Sequence, residues 1–505
     1  MMISRIVLCI CLLALAIGST RAEHNSPDLL SRPWLEARSA HFNAYSCGPT
    51  QEVARLVTRL EQFRDAYFLL AGSNAVASPA IVVIAFPDHI SLEPFLPIYQ
   101  GKPANLAAFF NRGSDENLIV MYLAGSNSAA LNLIFHEYTH LLLRHNQPVW
   151  PIWLTEGMAD IYATFELAGP QTVRIGRPLA SHLHFLEHSS LMPLKDLFAV
   201  KHDSPEYNER DRQGIFYAES WLLTHYLVSG GNPVLKNRFS QLTKLLRSGE
   251  LPEQAFTNAL QITLPAMEKE LRRYLDQKKF DPLTLTVRAD LTAPRALTWR
   301  PLPTAEVCFR LGDELLRVNQ PNAARGYFEK AKRLSPNSPL SFEGLGLLAV
   351  ELRDHEGAAL QLSEAIAHGS SSFLAHYLFA REKFTLTAKT GDHYSRIQPD
   401  RAREIESELN ESISLMPDFG PAHHLLGFLK LVQQDDLVEA EKHLQKAIQL
   451  EPENQAYPFS LAQAQLLRND LDGARRTLEP LRLPYVEAQL RNHAEAMLKE
   501  ISAKK

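Results

Sequence analysis

From residue 304 onward the chain repeats itself, and no other feature restricts its fold as strongly. AEVCFRLGDELLRVNQPNAARGYFEKAKRLSPNSP carries Leu311-Gly312, Ala323, Tyr327-Phe328, Ala331 and Pro336, and PAHHLLGFLKLVQQDDLVEAEKHLQKAIQLEPENQ carries Leu426-Gly427, Ala440, Ala447 and Pro452 in matching places. Pro417 and Pro452 stand 35 residues apart, close to one period of a helix-turn-helix repeat of about 34 residues. Each helix pair lacks a complete core, so neighbours must stack, and 304–500 is expected to form an all-α solenoid with a concave binding face. Weaker copies occupy 339–370 and 454–488. Between them, 371–416 reads as a repeat with a longer first helix or an inserted loop around Lys389 to Asp400. The pattern specifies a shape and no ligand, so a protein-binding surface and a mere scaffold or dimerisation arm both remain open.

At 505 residues the chain is long enough for two to four domains at about 100–200 residues each. Its 45% hydrophobic and 22% charged content is that of a folded protein, and a net charge of −5 offers no basic field for nucleic acid. Residues 1–22 differ in kind: Arg5, the apolar run IVLCICLLALAIG and the small residues around Thr20-Arg21-Ala22 read as a secretory signal peptide. That run is too short to span a bilayer, which needs about 20 residues. The mature chain is therefore expected to be exported, periplasmic or secreted, with no stable membrane anchor. Cys9 and Cys11 leave with the signal; Cys47 and Cys308 remain, as a disulfide or as free thiols.

Ahead of the repeats, HFNAYS (41–46), AIVVIAF (80–86) and ENLIVMYL (116–123) have the character of strands, and 51–70 spaces Val53, Leu56, Leu60, Phe63 and Tyr67 as one face of a helix. This implies a small mixed sheet. LNLIFHEYTHLLLRHNQPVWPIWLTEGMADIYATF (131–165) follows, with His136, Glu137 and His140 in the order HExxH. Ser126, Asn127 and Ser128 can cap a helix from near Ala129, and Asn146 with Pro148 would end it. Positions i and i+4 share a helix face, so both imidazoles can reach one ion while Glu137 stands beside it. Glu156 comes sixteen residues after His140, on a second helix starting around Trp153 to Thr155, and Asp160 follows on the same face. Two imidazoles and a carboxylate leave one tetrahedral position for water, so the expected ion is a single catalytic Zn2+. Downstream, 212–233, 234–248 and 265–278 read as helices, and 281–303, with four prolines, as a short β segment plus linker.

HEYTH followed by WLTEGMAD resembles the gluzincin metallopeptidases, the thermolysin and aminopeptidase N group, and more closely the peptidase-MA-like domains of bacterial exported proteins. The resemblance implies an α+β zincin-like metallopeptidase domain over 23–280, with His136, His140 and Glu156 as zinc ligands, Glu137 as general base and Asp160 orienting a ligand histidine. FYAESWLLTHYL is similar to the aminopeptidase segment whose tyrosine stabilises the oxyanion, and Tyr217 occupies that place, although Glu219-Ser220 stands where that family has Lys-Gly. His182 and His184 are alternative donors, or else surface residues. A metzincin pattern would need Gly at 143 and His at 146, where the chain has Leu143 and Asn146. No glycine-rich amine-binding motif precedes the zinc helix, so aminopeptidase activity does not carry over. The repeats, in turn, resemble a tetratricopeptide array. The combined expectation is an exported zinc peptidase acting on a peptide or protein substrate, with a repeat domain that binds a protein partner. Its rivals are a degenerate peptidase-like adaptor in which the solenoid carries the function, and zinc-dependent hydrolysis of a non-peptide amide or ester.

Overall fold

The computed structural model describes residues 28–503 apart from 72–80, 100, 114, 125–127, 147–149, 202–203, 209, 231, 289–290, 292, 391–392, 453, 483–485 and 487. The signal-peptide expectation for 1–22 and the capping residues Ser126, Asn127 and Pro148 lie outside the described residues. The chain divides into two compact units between Leu302 and Pro303. Among the described residues no helix is long and apolar enough to cross a membrane.

The first unit is built on a six-stranded mixed sheet. Its strands are β1 (Trp34–Arg38), β2 (Phe42–Ser46), β3 (Ile81–Phe86), β6 (Ala108–Arg112), β7 (Asn117–Tyr122) and β11 (Thr298–Leu302), in the order β11-β1-β2-β3-β7-β6. The pairs β2–β3 and β3–β7 are parallel and the others antiparallel. A two-residue hairpin, β4 (Ile98–Tyr99) and β5 (Lys102–Pro103), stands apart, and β8 (Glu166–Gly169), β9 (Thr172–Ile175) and β10 (Leu283–Thr286) make a small second sheet. All six residues of β3 are buried, because both faces of the large sheet are covered. One face carries helix α1 (Thr50–Ala71), whose stripe Val53, Leu56, Leu60, Phe63 and Tyr67 is buried as its spacing predicts.

Segment 281–303 is more than the expected β segment and linker: it supplies both β10 and β11. Thr298–Leu302 pairs with β1 as an edge strand, the position in a sheet where a proline such as Pro301 is tolerated. Three short helices, α2 (His89–Leu92), α6 (Leu194–Ala199) and α7 (Pro205–Asn208), accompany the longer ones: α3 (Ser128–Asn146), α4 (Ile152–Ala163), α5 (Ala180–His188), α8 (Arg210–Val228), α9 (Pro233–Arg247), α10 (Pro252–Leu260) and α11 (Leu264–Gln277). α3 is seated by aromatic contacts. Phe135 stacks on Phe63 of α1 at 4.3 Å, and Tyr138 meets Phe42 of β2 edge-on at 5.7 Å.

The second unit stacks helix pairs: Thr304–Arg317 with Pro321–Leu334, Pro339–Glu351 with His355–Ala367, Phe373–Ala388 with Pro399–Leu415, Gly420–Gln433 with Leu437–Leu450, and Tyr457–Leu467 with Leu471–Leu478. A further helix, Ala488–Ala503, follows, and a small hairpin at Lys389–Thr390 and His393–Tyr394 forms the anticipated insertion. The recurring glycine has a steric cause. A Cβ on Gly312 would sit 2.6 Å from the Phe328 ring, and one on Gly427 2.7 Å from Leu444 Cγ, so the two helices of a pair close on each other only without it. The turn between them repeats a left-handed residue, at Asn319, Arg353, Gln434 and Asn469.

Candidate metal centre

α3 carries His136 and His140 one turn apart, with Nε2 atoms 3.1 Å from each other. α4 packs against α3 and brings in Glu156, whose Oε2 lies 3.3 Å from His136 Nε2 and 3.2 Å from His140 Nε2. One turn further, Asp160 Oδ1 is 2.8 Å from His136 Nδ1. His136, Glu137, Glu156 and Asp160 are buried and His140 is half-buried, so the site opens past His140.

The hydrogen bond to Asp160 decides what His136 presents. Asp160 is enclosed, which alone would raise its pKa, but His182 and His136 bring it down to about 2, so it is an ionised, acceptor-only carboxylate at neutral pH. His136 Nδ1 must then carry the proton and donate, leaving a lone pair on Nε2 in the neutral ring. That lone pair faces His140 Nε2 and Glu156 Oε2. Burial also pushes the Glu156 carboxyl up, and the neighbouring His140 and His136 more than reverse this, holding it well below the usual carboxylate range.

Three electron-pair donors therefore converge within 3.1–3.3 Å. This is the only group of its kind among the described residues. A tetrahedral zinc with metal–nitrogen distances of about 2.0–2.1 Å has ligand–ligand edges of about 3.3 Å, so the residues present fit that ion. Glu156 Oε2 and Glu137 Oε1 are buried with no hydrogen-bond partner among the described residues, as expected of atoms that face a cation or a water between them. Burial raises the Glu137 pKa against the pull of His136 and His140.

Two further side chains, His182 and Tyr207, reach this site, and the sequence marks only the first. His182, an alternative donor or surface residue by sequence, is buried on α5 with Nε2 2.8 Å from Asp160 Oδ2; α5 turns this face inward against α8. His184 is exposed, its ring 4.5 Å from that of His188. The tyrosine hydroxyl on the ligand set is that of Tyr207, which donates to Glu156 Oε1 at 3.2 Å. Tyr217, the oxyanion donor implied by resemblance, has its ring 6.0 Å from that of Tyr207 and 5.5 Å from that of Phe216. Tyr207 lies in the charged stretch KHDSPEYNERDR, 51 residues beyond Glu156, and no local pattern marks it. Glu219, where the resemblance wanted lysine, is buried on α8 and accepts the Met192 N–H at 2.6 Å. Cys47 and Cys308 are both free thiols.

Tetratricopeptide-repeat family models match residues 309–372 and 431–493. The C-terminal unit carries tetratricopeptide repeats. Solved repeat proteins resemble it at low identity. YrrB, described as a TPR protein with an unusual peptide-binding site, is 15% identical over 38% of this chain and 92% of its own, with a TM-score of 0.32. A thermophilic TPR protein of Thermus thermophilus is 20% identical over 38% of this chain and 98% of its own, with a TM-score of 0.29. The portion of MamA from residue 41 onward, from Desulfovibrio magneticus, is 19% identical over 35% and 92%, with a TM-score of 0.29. No curated protein matches the chain. Both family-model matches lie in the repeats.

Proposed function

We propose that the first unit is a zinc-dependent hydrolase of the metallopeptidase type, and that the tetratricopeptide array binds the protein on which, or with which, it works. The observation that carries the first half is the lone pair forced onto His136 Nε2 by Asp160, aimed at His140 Nε2 and Glu156 Oε2. These three atoms would hold the ion, which when bound supplies Lewis acidity and lowers the pKa of water towards 7.

The remaining work falls to the chain. Glu137, on the same helix and with a raised proton affinity, accepts a proton from the attacking water as its oxygen bonds the carbonyl carbon. It then gives that proton to the leaving nitrogen as the C–N bond breaks. Tyr207 holds Glu156 Oε1 and so turns Oε2 toward the histidines, and Tyr217, whose ring lies 6.0 Å from that of Tyr207, would supply the hydroxyl for a developing oxyanion. Export, as the signal-like N-terminus suggests, would place this activity outside the cytoplasm.

Purified protein is expected to hold about one zinc per chain. Glu137→Gln is expected to keep the zinc and lose hydrolysis of an unstructured protein by a factor of about 10²–10⁴. Folded wild type that takes up no zinc would overturn the reading. A second reading is favoured by the comparisons, whose family matches fall in the repeats alone: a peptidase-like unit without turnover, attached to a protein-binding array. Zinc-loaded wild type that cleaves nothing in a proteome-wide digest, yet captures a protein through 303–505, would establish that adaptor in place of the enzyme.

A further inference from the structure

Asp160 reaches the metal centre through one oxygen and leaves it through the other. Oδ1 accepts from His136 Nδ1 and Oδ2 from His182 Nε2, both at 2.8 Å, and the carboxylate is enclosed. The three residues come from three elements, α3, α4 and α5, so the chain of contacts ties together helices whose order along the sequence does not fix their spacing. The His182 imidazole is itself confined. It is buried, and the fully buried Trp221 ring of α8 lies 6.2 Å away at a tilt of 46°.

We propose that His182 is a positioning residue for the metal centre, holding Asp160 in the one rotation that fixes the His136 ring with Nε2 toward His140 and Glu156. The inference rests on the metal-centre reading given above. An enclosed carboxylate with both oxygens satisfied cannot turn about its Cβ–Cγ bond without breaking a hydrogen bond. With His182 removed, Oδ2 is left without that donor inside the protein, and the carboxylate can tilt out of line with His136 Nδ1. Nε2 of His136 then loses its fixed direction, although the ligand residues are all still present.

The test is zinc affinity measured by chelator competition on the full chain, alongside the thermal midpoint of the zinc-free protein. His182→Ala is expected to weaken zinc binding by about tenfold or more. Because the alanine variant could fold poorly, a matched pair isolates the contact. His182→Gln places an amide N–H2 close to where Nε2 stands and is expected to bind zinc within about threefold of wild type, whereas His182→Asn, one methylene shorter, falls short of Asp160 and is expected to bind like the alanine variant. Equal affinity of the Gln and Asn variants, or wild-type affinity in the alanine variant, would overturn the role given to His182. A purely structural role would lower the zinc-free midpoint of Gln and Asn alike and leave their affinities equal. Wild type without measurable zinc affinity is a different result, and overturns the metal centre itself.

Discussion

The buried carboxyls Glu156, Asp160 and Glu219 of the first unit differ in their surroundings. Glu156 and Asp160 sit against imidazoles, which hold their pKa values down despite burial. Glu219 is enclosed, and Arg272 pulls its pKa down by less than burial pushes it up. Burial pushes its pKa up to about 8, the Met192 N–H offsets part of this, and Glu268 adds repulsion. Its folded-state pKa lies above the unfolded value near 4.5, so the folded state binds the extra proton more tightly. The associated stability is fully present below about pH 4.5 and is lost as pH rises through 8, an effect on the order of 5 kcal/mol. Glu219→Gln keeps the acceptor for Met192 and removes the charge. Urea midpoints of wild type and variant are expected to converge near pH 5 and to separate at pH 9 in favour of the variant; parallel curves would refute the assignment.

Among the helices, the metal centre depends on how closely α4 can approach α8. Gly157, next to Glu156, faces Thr224 and the carbonyl of Ser220, and a Cβ there would overlap the Thr224 hydroxyl. Gly157→Ala is expected to force the helices apart, lowering stability by about 1–3 kcal/mol and weakening zinc binding through the displaced Glu156. A chemical-denaturation series read together with zinc affinity checks both, and an alanine variant as stable as wild type would contradict the packing. Elements were legible where their signal is local. The α1 stripe follows from helical period, the two helices around 131–165 from caps, prolines and the HExxH spacing, and the strands at 42–46, 81–86 and 117–122 from their local apolar and aromatic character. β1 and β11 escaped, because Trp34–Arg38 has little alternation and its partner arrives about 260 residues later in a proline-rich stretch.

The two units make different thermodynamic demands on the chain. The repeats gain their core from neighbours in sequence, whereas the first unit closes its sheet with a strand from its far end. Zinc held as proposed, by the folded first unit only, would stabilise that unit by mass action, by about 2.7 kcal/mol when free zinc is 100 times the dissociation constant. Calorimetry of the full chain with and without a strong chelator is therefore expected to show one transition moving down on zinc removal and another, belonging to 303–505, staying in place. A scan unaffected by chelation would argue against the metal centre.

The repeat architecture, the two helices and the identities of His136, His140, Glu156 and Asp160 are all readable from residue order, because helical spacing is a property of the backbone and needs no distant partner. Folding in three dimensions was required to divide the Asp160 oxygens between His136 and His182, to bring Tyr207 onto Glu156, and to enclose Glu219 by more than Arg272 offsets. Each of these is a contact between side chains 22 to 51 residues apart or a consequence of enclosure, and neither is encoded in any local period.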